Sequence, residues 1–254
     1  MIANMNAGKA VRFNRLVAQD GKTFIAALDH GIAGLSPLES LANPQWLITD
    51  LANVGVDALI VTPGMLRRFS DLFRRLGIIV RVDCGPTAAT GLWSENRPAV
   101  SADDALRLGA DAVVAMGIVG AEGESESLHS LAKLAVECDR SGILLVAEML
   151  PGGFASGQPN ADQIRTAARV GADIGADIIK ICYSGDPQSF RNVAETCYRP
   201  IVVLGGSKQD PDQLIASSKA ALAAGAKGVA IGRNIWQAKN PAVISAKLAT
   251  AVHG

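Results

Sequence analysis

The chain has 254 residues, 49% hydrophobic and 4% aromatic, and its 24 basic side chains balance 24 acidic ones. Zero formal net charge with few aromatic residues disfavours a nucleic-acid partner and a charged membrane surface. No stretch approaches transmembrane length, the four cysteines lack a CxxC pair, and three histidines offer little to a zinc site, so we expect a cytoplasmic protein with no metal and no cofactor.

The first predicted element is a helix and turn within residues 1–22 that caps one end of the fold. Eight short apolar runs with the length of buried strands follow: Phe24–Leu28, Ala58–Val61, Ile78–Val82, Ala112–Met116, Ile143–Met149, Ile178–Cys182, Ile201–Leu204 and Gly228–Ile231. Between and after them lie segments with helical composition: Pro44–Val54, Gly64–Leu76, Ala102–Leu108, Ser127–Ser141, Asp162–Gly175, Pro187–Cys197, Pro211–Gly225 and Pro241–His253.

This regular alternation of strand and helix predicts an α/β fold. Eight β/α units in about 250 residues have the size of a (β/α)8 TIM barrel. We assign residues 23–254 to the barrel, in a single domain, because no linker or change of composition divides the chain. An open, doubly wound sheet is the structural alternative. In a barrel, polar residues at the carboxyl ends of the strands are the candidates for chemistry.

Lys180 lies in the middle of predicted strand 6. A lysine in a buried strand is unfavourable because burial disfavours its charged form. One interpretation is a neutral amine nucleophile that forms a Schiff base with a carbonyl substrate. The alternative is a lysine near a strand end that reaches solvent or pairs with a carboxylate.

Two carboxylates are predicted to project into the same barrel mouth, Asp29 at the end of strand 1 and Glu148 on strand 5. Beside a nucleophilic Lys180 they provide an acid that expels water and a base that moves the proton of the hydroxyl next to the breaking bond. Taken singly, Asp29 could instead cap a helix, and Glu148 could merely neutralise a cation.

Strand 3 carries Arg81 and Asp83, which are two positions apart and therefore on one face. A salt bridge in the barrel mouth is one interpretation of this pair, and recognition of a charged or polar substrate group is the other. His30, directly after Asp29, is a further candidate substrate contact.

Glycine turns follow strands 7 and 8, at Gly205-Gly206-Ser207 and at Gly232-Arg233. Backbone N–H groups there can hold an anion, glycine permits its close approach, and Arg233 adds charge-assisted hydrogen bonds. Barrels often bind phosphate at this position. Ordinary tight turns are the alternative interpretation.

Four segments together resemble DhnA-type class I aldolases of the DeoC/LacD superfamily: Leu28-Asp29-His30-Gly31, Ile179-Lys180, Gly205–Lys208 and Gly228–Gln237. The resemblance implies that Lys180 is the Schiff-base lysine, that Asp29 is an active-site carboxylate, and that Gly205, Gly206, Gly232 and Arg233 bind phosphate. Members include archaeal-type class I fructose-bisphosphate aldolase, an aminodideoxyheptulosonate synthase and an autoinducer-2 degradation thiolase. Many members are rings of barrels, so the resemblance also implies a homo-oligomer.

The strand 5 region departs from the pattern of the fructose-bisphosphate and heptulosonate members, which usually have a tyrosine proton donor before a proline. Here it reads Ala147-Glu148-Met149-Leu150-Pro151, without tyrosine. More distant class I aldolases, including the LacD type, use a glutamate on strand 5, and Glu148 is the candidate for that role.

The residues and the resemblance together predict a metal-independent class I aldolase that cleaves or forms a C–C bond in a phosphorylated ketose, with fructose 1,6-bisphosphate as one candidate substrate. A thiolase-like acyl transfer from a phosphorylated diketone through Lys180 is the first alternative. The second is a non-catalytic or isomerising phosphate-binding barrel in which Lys180 is a paired structural residue.

Overall fold

A computed structural model describes residues 5–33, 38–85, 87, 89, 96–153 and 157–254 of the chain. Eight parallel strands close into a barrel in which chain neighbours are also spatial neighbours and the last strand pairs with the first. The strands are β1 Thr23–Ala27, β2 Ala58–Val61, β3 Gly77–Arg81, β4 Ala112–Val119, β5 Leu144–Pro151, β6 Ile178–Ile181, β7 Ile201–Leu204 and β8 Gly228–Ile231. The predicted TIM barrel is therefore confirmed, and the open sheet is excluded.

Apart from the first helix, which precedes β1, the helices follow the strands and cover the outside of the barrel. They are α1 Ala7–Leu16, α2 Pro44–Leu51, α3 Pro63–Arg68, α4 Ala102–Arg107, α5 Glu124–Ser141, α6 Ala161–Ile174, α7 Pro187–Thr196, α8 Pro211–Ala223, α9 Arg233–Trp236 and α10 Pro241–His253. No described helix has the length and apolar character needed to cross a membrane.

Two helical predictions differ from the structure. The segment predicted as one helix, Gly64–Leu76, divides into α3 and a separate 3-10 turn at Ser70–Leu72. Phenylalanine and serine, which occupy positions 69 and 70, are weaker helix formers than the Met, Leu and Arg residues that precede them in α3. The single helical turn α9 was not predicted, because the glycine before it indicated only a tight turn.

The strand residues pack on two sides of the barrel wall. Along each strand, alternate side chains enter a central apolar core, which includes Ile25, Ile79, Val114, Val146, Ile178 and Val202. Their neighbours in sequence, such as Ile179 and Ile181 on β6, belong to a second core between the sheet and the helices. This alternation directs Lys180, two residues after Ile178, towards the barrel axis.

Helix α1 lies against the amino-terminal end of the barrel. Its Phe13 and Leu16 are buried in the central core, and the Lys9 ammonium lies 2.9 Å from an Asp177 carboxylate oxygen at the start of β6. The Asn6 side chain caps the helix by accepting a hydrogen bond from the Lys9 backbone N–H. Within the predicted cap, residues 1–4 lie outside the described residues.

Candidate active site

A cavity of about 260 Å³ opens at the carboxyl ends of the strands. Nine of the residues singled out in the sequence line it: Asp29, His30, Arg81, Glu148, Lys180, Gly205, Gly206, Gly232 and Arg233. Larger cavities of about 600 and 750 Å³ lie beside α1 and beside α2 and α3. The smaller cavity is the candidate active site because it holds the buried lysine, its carboxylate partners and both glycine turns.

Lys180 and Glu148 face each other across neighbouring strands. Parallel pairing of β5 with β6 sets them side by side in register, and the Lys180 Nζ lies 2.6 Å from Glu148 Oε1. Lys180 is only 4% exposed. The sequence left a nucleophile and a carboxylate-paired lysine as alternatives, and the lysine is both paired and directed into the cavity.

Arg81 joins three carboxylates at the base of the cavity. Its Nε donates to Asp29 Oδ2 at 2.8 Å, its Nη1 donates to Asp83 Oδ1 at 3.0 Å, and its Nη2 donates to Glu148 Oε2. Arg81 and Asp83 are each 3% exposed. Parallel strands bring residues more than one hundred positions apart onto this one guanidinium.

The cations determine the ionisation of the two candidate catalytic carboxylates. Burial alone would raise the pKa of Glu148, but the Lys180 ammonium and the Arg81 guanidinium hold that pKa well below its usual range. Burial likewise opposes ionisation of Asp29, whose pKa is nevertheless lowered, chiefly by Arg81. The three carboxylates in turn raise the pKa of buried Arg81. Both carboxylates are therefore ionised at neutral pH and start as proton acceptors.

His30 forms one wall of the cavity beside the β8 turn. Its ring contacts Trp236 edge to face, with 5.3 Å between ring centroids, and its Nδ1 lies 3.6 Å from Asp29 Oδ1. A Cβ at Gly232 would overlap the imidazole Cε1, so a larger residue there would displace the His30 ring. Burial lowers the pKa of His30, and the imidazole is neutral at pH 7.

The turns after β7 and β8 are bound to each other through Asn234. This buried side chain donates to the Gly205 and Ser207 carbonyl oxygens at 2.9 and 3.1 Å and accepts from the Gln209 backbone N–H at 2.9 Å. Gly206 has a φ of +65°, a value that favours glycine. Gly205, Gly206, Gly232 and Arg233 therefore share one wall of the cavity, which is suited to an anionic group.

Two of the candidate binding residues lie elsewhere. Ser207 is exposed, and Asp83 is buried behind Arg81, where it also accepts a 2.8 Å hydrogen bond from the Met116 backbone N–H. Neither belongs to the described lining of the cavity. For the Arg81 and Asp83 pair, the salt-bridge interpretation matches the geometry of Asp83.

Comparison with known proteins identifies the family to which the chain belongs. The model of the DeoC/LacD family aldolases matches residues 23–238. The chain belongs to this family. It is thus an enzyme of the aldehyde-lyase type, in agreement with the resemblance seen in the sequence.

Individual relatives of this aldolase match over nearly its whole length. It is 30% identical to 2-amino-3,7-dideoxy-D-threo-hept-6-ulosonate synthase of Halobacterium salinarum, over 98% of this chain and 92% of the relative. It is 32% identical to 2-amino-4,5-dihydroxy-6-oxo-7-(phosphonooxy)heptanoate synthase of Streptomyces griseus, over 100% and 93%. An archaeal fructose-1,6-bisphosphate aldolase, with its catalytic Lys covalently bound to the carbinolamine intermediate of the substrate, has 26% identity and a TM-score of 0.88 over 97% and 100%.

Several residues of this aldolase site were missed in the sequence. Met116, Leu150 and Leu204 form part of the cavity wall, and Met116 lies beside Glu148 in the pairing of β4 with β5. Asn234 was also missed as the link between the two glycine turns. Apolar residues on a strand give no sign of lining a site, but Asn234 directly follows the Gly-Arg turn, and its position was a usable signal.

Proposed function

We propose that the chain is a metal-independent class I aldolase whose Lys180 amine forms a Schiff base with a phosphorylated ketose or related phosphorylated hydroxyketone. The observation that carries the proposal is the 2.6 Å contact between Lys180 Nζ and Glu148 Oε1 inside the cavity. This contact gives the lysine a buried proton acceptor, which a nucleophilic amine requires.

Glu148 removes one proton from the Lys180 ammonium, and the neutral amine attacks the ketone carbon. The C=O π bond breaks as the C–N bond forms, and a proton passes from the nitrogen to the oxygen to give the hydroxyl of a carbinolamine. Return of the proton to the new hydroxyl expels water and leaves a protonated imine. We assign Glu148 to these steps because one of its oxygens already contacts the amine. Glu148 thereby takes the place of the tyrosine that the fructose-bisphosphate and heptulosonate members usually have on this strand.

Asp29 is the proposed base for the C–C step. It takes the proton of the hydroxyl next to the breaking bond, the C–C bond breaks, and its electron pair passes to the imine nitrogen, which yields an aldehyde and an enamine. The Arg81 guanidinium lowers the pKa of Asp29 against burial and so keeps Asp29 ionised, and Asp29 Oδ1 faces the neutral His30. Protonation of the enamine and hydrolysis release the ketone and restore Lys180.

A phosphate group on the substrate is supported by the wall formed by Gly205, Gly206, Gly232 and Arg233. It is also supported by the compounds in the names of the relatives: the compound that one of them synthesises carries a phosphonooxy group, and another is an aldolase of fructose 1,6-bisphosphate. The phosphate fixes the carbonyl next to Lys180, and such positioning contributes strongly to rate.

The decisive experiment is borohydride reduction with a panel of phosphorylated ketoses and aldehydes, followed by mass measurement of the Lys180 peptide. Reduction of an imine leaves a stable secondary amine on wild-type enzyme. Lys180→Met should abolish labelling and reduce turnover by at least about 10³-fold, whereas Lys133→Met, at an exposed position, should behave like wild type.

Three results would contradict the aldolase proposal. An acyl-lysine mass with a phosphorylated diketone supports the thiolase-like alternative. Absence of label with every substrate, together with full turnover by Lys180→Met, supports a structural lysine. Loss of activity on chelation, restored by a divalent metal, indicates metal-dependent chemistry.

We also propose a homo-oligomer, from the family resemblance, and a cytoplasmic location, from four cysteines that lack a CxxC pair. Trp46 on α2 and Val243 on α10 are 71% and 51% exposed, and α2 contacts α10. Light scattering of the purified protein measures the subunit number directly, and a monomer mass at micromolar concentration would overturn this assignment.

A further inference from the structure

We propose that Arg81 is the positioning residue of this site: it binds one oxygen of each candidate catalytic carboxylate and so directs the other oxygen of each towards the reacting groups. The catalytic roles of Asp29 and Glu148 are part of the proposed function, so this role for Arg81 rests on that function.

The division of oxygens is visible in the contacts of each carboxylate. Arg81 donates hydrogen bonds to Oδ2 of Asp29 and to Oε2 of Glu148. The remaining Oδ1 of Asp29 faces His30 at 3.6 Å, and the remaining Oε1 of Glu148 faces Lys180 at 2.6 Å. Each carboxylate therefore has one oxygen bound in the base of the site and one available for proton transfer.

Arg81 is itself held in place by Asp83. One oxygen of Asp83 accepts from Arg81 Nη1, and the other accepts from the Met116 backbone N–H on β4. This second bond ties the guanidinium to the barrel wall. A chain of contacts therefore runs from the β4 backbone through Asp83 and Arg81 to both catalytic carboxylates.

Only arginine fits this position among the cationic side chains. A planar guanidinium presents donors in fixed directions, so it can bind three carboxylates at once in a defined arrangement. A lysine ammonium supplies a comparable charge, but its donors are not fixed in these directions. Exchange of Arg81 for lysine therefore retains the charge and removes the alignment.

The alignment of the two carboxylates by Arg81 can be tested separately from the net charge of the cluster. The groups around Arg81 are Asp29 after β1, Asp83 after β3, Glu148 on β5 and Lys180 on β6, with His30 and Arg233 on the walls. Two cations, Arg81 and Lys180, against three carboxylates give the inner cluster a formal charge of −1. The double substitution Arg81→Met with Asp83→Asn keeps that charge and removes the positioning.

The test measures the rate of imine formation by borohydride capture, with dihydroxyacetone phosphate as the phosphorylated hydroxyketone probe, as a function of pH. The double variant should lose about 10²-fold in rate, the loss typical of small misplacement in an active site. The acid limb of its pH–rate profile should move to higher pH by about one unit or more, because Asp29 and Glu148 lose their directly bonded cation although the net charge of the cluster is kept. Arg81→Lys should keep the wild-type acid limb and still lose rate.

Asp83→Asn alone loosens Arg81 while retaining its charge, and it provides a readout if the double variant does not fold. We expect a fall in rate of about tenfold without a shift of the acid limb to higher pH. Arg107→Met is the matched control, since Arg107 forms an exposed pair with Asp103 on α4, and it should behave like wild type.

The outcomes separate this inference from the proposed function. If wild type forms a trapped imine and both the Arg81→Lys and Asp83→Asn variants form it at the wild-type rate, Arg81 is not a positioning residue and the aldolase proposal stands. If wild type forms no imine with any phosphorylated ketone, the proposed function itself fails, and the role of Arg81 fails with it.

Discussion

At the scale of the residue, Glu148 is the group on which both cations converge. Oε1 contacts the Lys180 ammonium, and Oε2 accepts from Arg81. A carboxylate with two buried cationic partners stays ionised well below the usual carboxyl range. Its contribution to stability is present above the pKa of an unfolded glutamate and is lost only when the pH falls through the lower folded value.

Replacement of Glu148 by glutamine tests its part in activating Lys180. The amide keeps the shape and cannot accept the lysine proton, so the rate of imine formation should fall by about 10²–10⁴-fold. Single-turnover borohydride capture measures that rate, and Glu195→Gln, at an exposed position on α7, is the control. A glutamine variant that forms the imine at the wild-type rate would exclude Glu148 as the proton acceptor.

At the scale of the element, the two glycine turns depend on a side chain that belongs to neither anion-binding loop motif. Asn234 makes three hydrogen bonds to the β7 turn from the start of α9. Because buried hydrogen bonds each contribute about 0.5–1.5 kcal/mol net, this one residue fixes the relative position of the two turns.

Replacement of Asn234 by alanine should therefore weaken binding of a phosphorylated ketone by about tenfold or more. Capture of a ketone without phosphate should change little, because Lys180 and Glu148 are untouched. Titration with a phosphorylated ketone and with a ketone that lacks phosphate measures the two losses separately. Asn240→Ala is the matched control, since that asparagine only caps α10, and equal losses for the two probes would contradict a role in phosphate binding.

The sequence was sufficient to predict most helices and strands, but it was insufficient to predict how the strands align with each other. Predicted limits of β2, β7 and β8 coincide with the observed ones, because apolar runs bounded by glycine, proline or charged residues define short strands well. Strands β4 and β5 extend to Val119 and Pro151, further than predicted, because they pair in register along their whole length. Such pairing is a tertiary property that no local pattern contains.

The same limit applies to the site. Lys180, Asp29 and Glu148 could be selected because charged residues are conspicuous at the ends of apolar strands. That all three meet around Arg81 depends on the stagger of the closed barrel, which the chain does not display locally. For that reason Asp83 was left with both a salt-bridge and a substrate-binding interpretation, and its oxygens are bound to Arg81 and to the β4 backbone.

At the scale of the whole molecule, the two ends of the barrel carry different groups. The carboxyl end holds the cavity, whereas the amino end is covered by α1 through Phe13, Leu16 and the buried Lys9–Asp177 pair. Loss of one partner from a buried ion pair leaves an uncompensated charge, which is strongly destabilising.

Replacement of Lys9 by methionine should lower the free energy of unfolding by about 3–5 kcal/mol. Imine formation at 25 °C should be unchanged, because the substitution lies at the opposite end of the barrel from Lys180. Denaturant titration measures the stability, with Lys133→Met as the control. A Lys9→Met protein of wild-type stability would show that the pair does not hold α1 in place.

The negative excess around Lys180 has a consequence for the reaction cycle. An ammonium and a protonated imine carry the same single charge, so the carboxylates that surround the resting lysine are already arranged for the covalent intermediate. The enamine carries no charge on nitrogen, but Asp29 has by then taken the hydroxyl proton, so the cluster keeps its formal charge of −1 throughout. Return of that proton to the enamine carbon restores both the protonated imine and the ionised Asp29, without any change in the net charge of the buried site.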